Sequence, residues 1–438
     1  MLKILLRVCS DFHFTEILKG AFSALTIKIF SAGLAFGLSL LLARLLGASG
    51  VGIYYLALSV VVLASVVARM GLSLTLLRFS AAAVAEKNWA ELNGVYWKCL
   101  YVVVPLSLTV TALLLLVSKL LSQKVFGEPA IERVLNVMAF SILPMSLAVI
   151  HAELIRGFKK IASSLFVLGI VLPFTNCLAM WFLIPRLGQV GAAWAYFLAT
   201  VCASLFAIIV SMKYTSKSRG IGGVFSWRKL LESAVPNYIT NLIQQGILLS
   251  LPVILLGYYA SSQEVGVYSI CVRIASLVSF VLVAVNSISG PKISALFKQG
   301  NIKQLERVVQ QSTALMTVSG LVVVLPILLW PRYVLSMFGE DFTYGSLVLL
   351  VLAMGQLINV MFGSVGLLLT MTGHERQQRN SIAISSVILI VTMPISIVEF
   401  GVLGAALSTV LSGFIFNACT FYLAQKRLGV TSIGFKFI

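Results

Sequence analysis

A chain of 438 residues in which 59% are hydrophobic and only 11% charged, with a mean hydropathy of +1.03, has too few polar side chains to cover a water-exposed globule. Its net charge of +18 would point to nucleic acid in a soluble protein, but in a polytopic membrane protein Lys and Arg collect in the connections and set orientation. The apolar runs lack the alternation of barrel strands, so an all-α membrane protein is expected, embedded in a lipid bilayer and with no nucleic-acid partner.

In chain order, residues 1–20 carry Lys3, Arg7 and Lys19 among apolar side chains and read either as an amphipathic segment on the cytoplasmic surface or as a frayed terminus. Ala21 to Leu42 is too long for a signal-peptide core and lacks a clean cleavage site, so it is expected to remain as a helix. Twelve spans are predicted near 22–42, 53–74, 95–117, 134–154, 163–184, 190–211, 236–257, 266–288, 313–331, 345–369, 381–399 and 402–424. The connection at 214–233, basic and with Gly220, Gly222 and Gly223, separates a six-helix lobe at 21–213 from a second at 234–425, and a cytoplasmic tail occupies 426–438. Alternate connections hold 22 Lys and Arg on one side and 6 on the other (Arg44, Lys119, Lys124, Arg133, Arg186, Arg332). The richer side marks the cytoplasm, so both termini are expected inside and Glu128 and Glu340 outside.

The chain also repeats itself. Leu41 to Tyr54 (LLARLLGASGVGIY) matches 255–268 (LLGYYASSQEVGVY) at an offset of 214, sharing Leu-Leu and then Val-Gly-(Ile/Val)-Tyr. Phe126-Gly127-Glu128 recurs as Phe338-Gly339-Glu340 at 212, and Gly188-x-x-Gly191-Ala192-Ala193 recurs as Gly401-x-x-Gly404-Ala405-Ala406 at 213. Three matches in order, at nearly one offset, indicate a duplication over half the chain, the plan of many transporters and not of a short-period solenoid. An even number of spans per half makes the repeat parallel, about an axis along the membrane normal.

These motifs, together with Arg156-Gly157 and the basic turn after the fourth span and Gly373-His374 after the tenth, resemble bacterial polysaccharide flippases of the O-antigen translocase type. That family lies in the multidrug/oligosaccharidyl-lipid/polysaccharide exporter superfamily, with a MATE-like fold. The resemblance implies a bacterial inner-membrane protein for O-antigen, lipopolysaccharide or capsule synthesis. It would move an undecaprenyl-diphosphate-linked oligosaccharide from the cytoplasmic to the periplasmic leaflet by alternating access between the lobes. A polysaccharide polymerase would be a partner of the same pathway.

Charges inside spans are costly, about 2.5–3.5 kcal/mol at the helix centre, so those retained there tend to face protein or a wet cavity. The candidates are Lys28, Arg69, Lys98 and Arg273, all cations, with acidic counterparts confined to span ends at Glu153 and Glu399. Lys28 and Arg69 fall at similar depths near the cytoplasmic side, where snorkelling to lipid phosphates competes with a substrate role, and snorkelling is the expectation for Lys98. Arg273 lies ~10 Å inside the outer edge and shares a face with Ser269, Ser276 and Ser287. Span seven carries a polar stripe of Asn237, Asn241, Gln244 and Gln245, a second wall for a cavity or a set of interhelical hydrogen bonds.

An enzyme would need paired carboxylates or a metal cluster; the six cysteines form no C-x-x-C pair, the histidines are scattered, and the acidic outer loops are short, so neither catalysis nor a cofactor is expected. A cation-coupled multidrug exporter of the same fold would want a membrane-embedded carboxylate, which the cavity-facing helices lack. A lipid diphosphate explains the one-sided charge. Lys28, Arg69 and Arg273 would meet phosphate oxygens, while Asn237, Asn241 and Gln244 would meet sugar hydroxyls.

Overall fold

The computed structural model describes residues 12–218 and 220–432, and among them there is no strand. Lys3, Arg7 and Cys9 of the expected surface segment and residues 433–438 of the tail lie outside the described residues.

The first half comprises α1 (Phe12–Arg69), α2 (Leu72–Ala85), α3 (Trp89–Leu120, prolonged by a π turn at Leu121–Val125), α4 (Ala130–Ala139), α5 (Ile142–Gly157), α6 (Ile161–Phe166) and α7 (Leu172–Tyr214). The second comprises α8 (Trp227–Asn241), a π segment at Leu242–Ser250, α9 (Leu251–Tyr259), α10 (Ser262–Lys298), α11 (Ile302–Leu329), α12 (Pro331–Ser336), α13 (Ser346–Phe362), α14 (Val365–Met371) and α15 (Glu375–Leu428). Among the described residues, 8 helical stretches are long and apolar enough to cross a membrane, and the pair α4/α5, bent by 43°, makes up to 9. Within the basic connection, Trp227 begins α8.

Three of the long helices cannot be straight. A helix of 54 residues, the length of α15, would run ~81 Å, against a hydrocarbon core of ~30 Å. Each breaks at a glycine in a conformation that L side chains avoid: Gly47 (φ 65°, ψ −179°), Gly188 (φ 58°, ψ −134°) and Gly401 (φ 56°, ψ −133°). The chain doubles back there. A Cβ on Gly191 would stand 2.3 Å from the Leu183 carbonyl oxygen, and one on Gly404 would stand 1.8 Å from that of Ser396, its repeat equivalent. The duplicated Gly-x-x-Gly-Ala-Ala is therefore a hairpin whose turn needs the first glycine and whose legs touch at the second.

The other duplicated motif is a helix crossing. A Cβ on Gly52 would sit 1.7 Å from the Ser262 carbonyl oxygen, and a Cβ on Gly266 would sit 2.0 Å from that of Ala48. Ala48-x-x-x-Gly52 of α1 and Ser262-x-x-x-Gly266 of α10 are thus small-residue seams that let two backbones meet, the means by which membrane helices associate without a hydrophobic drive. The contact is reciprocal, as a dyad through it requires. α10 starts cleanly there: the Ser261 hydroxyl accepts from the Glu264 amide (3.4 Å), and the Glu264 carboxylate accepts from the Ser261 amide (2.9 Å).

The connection between the halves is strapped to the first one. Asn93 Nδ2 donates to the carbonyls of Ser218 (2.6 Å) and Ile221 (2.8 Å). Lys98 does not snorkel, contrary to expectation: its ammonium donates to the Phe225 carbonyl at 2.6 Å and lies 4.5 Å above the Trp227 ring. A peptide carbonyl and an indole face satisfy it better than lipid headgroups that α3 would have to reach past the strap.

Candidate functional site

Arg273 is the most informative cation. It projects from α10 towards the first half, where its guanidinium carbon stands 4.0 Å over the Tyr55 ring, while its buried Nε has no hydrogen-bond partner. The flanking hydroxyls do not help, since Ser276 donates to the Arg273 carbonyl (2.7 Å), Ser287 to the Ala284 carbonyl (2.6 Å), and the buried Ser269 hydroxyl is unpartnered. A guanidinium on an aromatic face, with donors left over and no carboxylate beside it, is arranged to receive an anion.

Tyr55 ties that cation to the first helix leg, because its hydroxyl donates to Ser39 at 3.4 Å. Ser39 lies on one face of α1 with Ala35, Ala32 and Lys28, spaced by four, three and four residues. Lys28 is exposed, and 11 residues separate it from Ser39, ~16 Å of helix. A track of small and hydroxyl side chains thus leads from an exposed Lys28 to the Tyr55–Arg273 pair.

Arg69 is placed apart from this track. It is buried inside the first half, 6% exposed, with Nη1 unpartnered and the Tyr196 phenol as its electrostatic neighbour. Lys28 and Arg69, expected at one depth, therefore occupy different surroundings.

The polar stripe of span seven splits in the same way. Asn237 donates to Thr75 Oγ1 across the halves at 3.1 Å. Asn241 closes α8, and Gln244 falls in the π segment, where the wider turn also directs the Ser250 hydroxyl onto the Gln245 carbonyl five residues back, at 2.9 Å. Gln244 is exposed and lines a cavity of about 390 Å³ inside the second half. Gln356, Asn359, Gln378 and Asn417 line it too. Sequence reasoning passed over these four and over Tyr55, although amides in apolar spans, with Gln356 and Asn359 one turn apart, carry the signal that singled out Asn237 and Gln244.

A further polar pair is sealed within the first half: the Tyr96 hydroxyl is 3.2 Å from His151 Nε2, and His151 Nδ1 is 2.8 Å from the Leu147 carbonyl. With Nδ1 protonated, both ring nitrogens are satisfied, as a packing histidine requires. Glu153 is paired with Arg156 at 3.4 Å, so it is not a free embedded acid.

Known proteins agree with this architecture. The family model described as "Polysaccharide biosynthesis protein" matches residues 17–297, and the MatE model matches 236–399. The chain is 24% identical over 425 residues to a probable low-salt glycan biosynthesis flippase, Agl15, of Haloferax volcanii, covering 94% of this chain and 83% of that protein. Among solved structures it superposes on an inward-facing multidrug resistance MATE transporter of the MOP superfamily with a TM-score of 0.77, at 15% identity over 93% of this chain and 98% of the other. It superposes on the lipid II flippase MurJ in an inward closed conformation with a TM-score of 0.74, at 14% identity over 91% and 87%. The two solved structures establish the fold alone, while the first family model spans well over half of the residues: the chain belongs to the polysaccharide biosynthesis protein family, with the fold of MOP-superfamily transporters.

Proposed function

We propose that the protein is a flippase for a polyprenyl-diphosphate-linked oligosaccharide, working by alternating access between two six-helix lobes of twelve spans. The breaks at Gly47, Gly188 and Gly401 support that count, since dividing three long helices and counting the bent pair once turns eight stretches into twelve. Undecaprenyl is the carrier lipid expected in a bacterial inner membrane, and O-antigen or capsule the pathway. The named relative in Haloferax volcanii supports glycan export as the class of cargo.

The observation that carries the reading is Arg273, a half-buried cation at the junction of the halves, its buried Nε unpartnered, held over Tyr55 and lacking an acidic partner among the described residues. In a site of low dielectric it favours a diphosphate strongly over a neutral or cationic cargo. Lys28 would receive the diphosphate near the cytoplasmic leaflet and Arg273 would hold it in the outer half, with the lipid tail remaining in the bilayer. Arg69, enclosed in the first half, enters this path only if that half opens. A carrier gains nothing from holding cargo equally in both states, so closing the inner cleft must weaken the first station as the second becomes reachable.

The test is transport of a fluorescent polyprenyl-diphosphate glycan into reconstituted vesicles. Arg273→Ala is expected to slow it ~10–100-fold, the worth of a lost charge-assisted hydrogen bond, with Arg273→Lys intermediate because a point charge cannot reproduce a forked contact. Full rate in the alanine variant would remove Arg273 from the path. Lys28→Ala is expected to weaken binding to the inward-open state, and unchanged binding would assign Lys28 to lipid headgroups instead. Cysteines at 128 and 340 that label only from the cytoplasm would overturn the topology. The competing reading, a cation-coupled drug exporter, predicts transport of a lipophilic cation driven by a Na⁺ or H⁺ gradient; the absence of acidic residues from span interiors disfavours it.

A further inference from the structure

We propose that the amide-lined cavity inside the second half is a carbohydrate subsite, which takes an uncharged sugar ring of the cargo; this rests on the flippase reading and adds where the glycan is recognised. The cavity, about 390 Å³ and open on one side, is walled by the π segment after α8, by α13 and by both legs of α15. Its size is in the range of small-molecule sites and accommodates one or two sugar rings.

Its lining carries amides and hydroxyls and no charged side chain. Several of the amides are half used by the protein itself. Asn417 Nδ2 donates to Asn359 Oδ1 at 2.9 Å, the Thr370 hydroxyl donates to Gln378 Oε1 at 2.5 Å, and the Ser279 hydroxyl donates to Gln356 Oε1. In each acceptor the oxygen is engaged and the NH₂ group remains. Gln244, the fifth amide, has no partner at either end among the described residues. The protein thus fixes the orientation of Gln356, Asn359 and Gln378 through their oxygens and leaves NH₂ donors for the cavity, with Asn417 Oδ1 as an acceptor.

Interhelical bonding alone does not account for this. Amides kept only to join helices would satisfy one another, whereas here the NH₂ ends of Gln356, Asn359 and Gln378 and both ends of Gln244 stay free on the cavity side. Donors held at fixed angles, an acceptor among them and the Phe416 ring in the same wall match a sugar, which offers hydroxyl oxygens around its edge and C–H groups on its face. A diphosphate is not the fit, since the lining holds no cation. The cavity also stands beside the proposed phosphate station. α10 carries both Arg273 and Ser279, six residues or ~9 Å apart along the helix and on different faces. The first faces Tyr55 of the other half, and the second faces Gln356 of the cavity wall. A glycan linked to a diphosphate at Arg273 can reach the cavity with its first rings.

The experiment uses the full chain in lipid nanodiscs and four probes: farnesyl diphosphate, and farnesyl diphosphate bearing glucose, galactose or N-acetylglucosamine. At least one sugar-bearing probe is expected to bind the parent ~10-fold more tightly than the bare diphosphate, the worth of one or two net hydrogen bonds. Asn359→Leu and Gln244→Leu are expected to erase that gain while bare diphosphate binds as before. Gln244→Leu disturbs no bond within the protein, so it carries the test should Asn359→Leu fail to fold. If none of the sugars adds affinity, or if the gain survives Gln244→Leu and a folded Asn359→Leu, the subsite is overturned although the flippase reading stands. If the parent does not bind even the bare diphosphate, the flippase reading fails and the subsite with it.

Discussion

The two halves share a backbone and differ in what they do with it. Gly188 and Gly401 adopt dihedrals within a few degrees of each other, Met180 and Met393 are both fully buried, and Ala192-Ala193 and Ala405-Ala406 pack identically out of contact with solvent. Yet Arg186 in the first hairpin is Glu399 in the second, and Tyr196, which faces Arg69, is replaced by Thr409, which bonds Tyr268 at 2.8 Å and lines the amide cavity. Gln244 stands where the first half has Phe30. The preserved glycines lie where backbones touch or turn: a Cβ would collide at Gly191 and Gly404, and Gly188 and Gly401 hold a positive φ that L side chains avoid. What has diverged faces a cavity or the surface. A buried arginine–tyrosine pair in the first half and an amide-lined cavity in the second are two uses of one frame.

The strap after the last helix of each half makes the same point. In the first half Asn93 and Lys98 of α3 hold residues 218–225, after the last helix. In the second, Glu306 of α11 accepts from the Thr431 hydroxyl (2.8 Å) and amide (3.1 Å), and Gln310 donates to the same hydroxyl (3.3 Å). Each half ties its last helix back to its third span with different chemistry at the same place.

The largest effect is expected at the crossing. Gly52→Leu and Gly266→Leu each drive a side chain into a carbonyl of the opposite seam and are expected to cost more than about 3 kcal/mol, read as loss of folded protein on size exclusion. The reciprocal geometry requires both to fail, so survival of one alone would break the symmetry. Next comes the strap. Lys98→Ala loses a charge-assisted bond and a cation–π contact, about 2–3 kcal/mol locally, and is expected to speed trypsin cleavage after the exposed Arg228 and Lys229. Glu306→Ala should leave that cleavage unchanged and free the tail instead. Were either variant to release both segments, the straps would not be separate devices.

Gly188→Ala and Gly401→Ala, at positive φ with no atom closer than 3.9 Å to the added methyl, are expected to cost about 1–2 kcal/mol each from backbone strain alone. Equal shifts in thermal unfolding would sharpen the equivalence, and a gap above about 1 kcal/mol would show that the hairpins sit in different surroundings. Smallest are Arg186→Ala and Glu399→Ala, exposed and without ion-pair partners among the described residues, each expected within about 0.5 kcal/mol of the parent.

Hydropathy is local and additive, so the sequence by itself determined that the chain is helical and crosses a membrane. The spacing of its glycines and small residues likewise revealed the duplication before any geometry was known. Lys28, Arg273 and Gln244 stood out because a polar residue in an apolar run is conspicuous on its own. Which of them meet was decided only by the tertiary structure: Tyr55 and Arg273 are 218 positions apart, the cavity draws its amides from α13, α15 and the π segment, and Lys98 turned from snorkel to clasp once residues 218–225 folded over it. The physical reason is that a membrane helix faces apolar lipid on one side and apolar protein on the other, so periodicity carries little information about its rotation. Where solvent would have marked the outward face of a soluble helix, here only packing against neighbours sets the direction in which each polar side chain points.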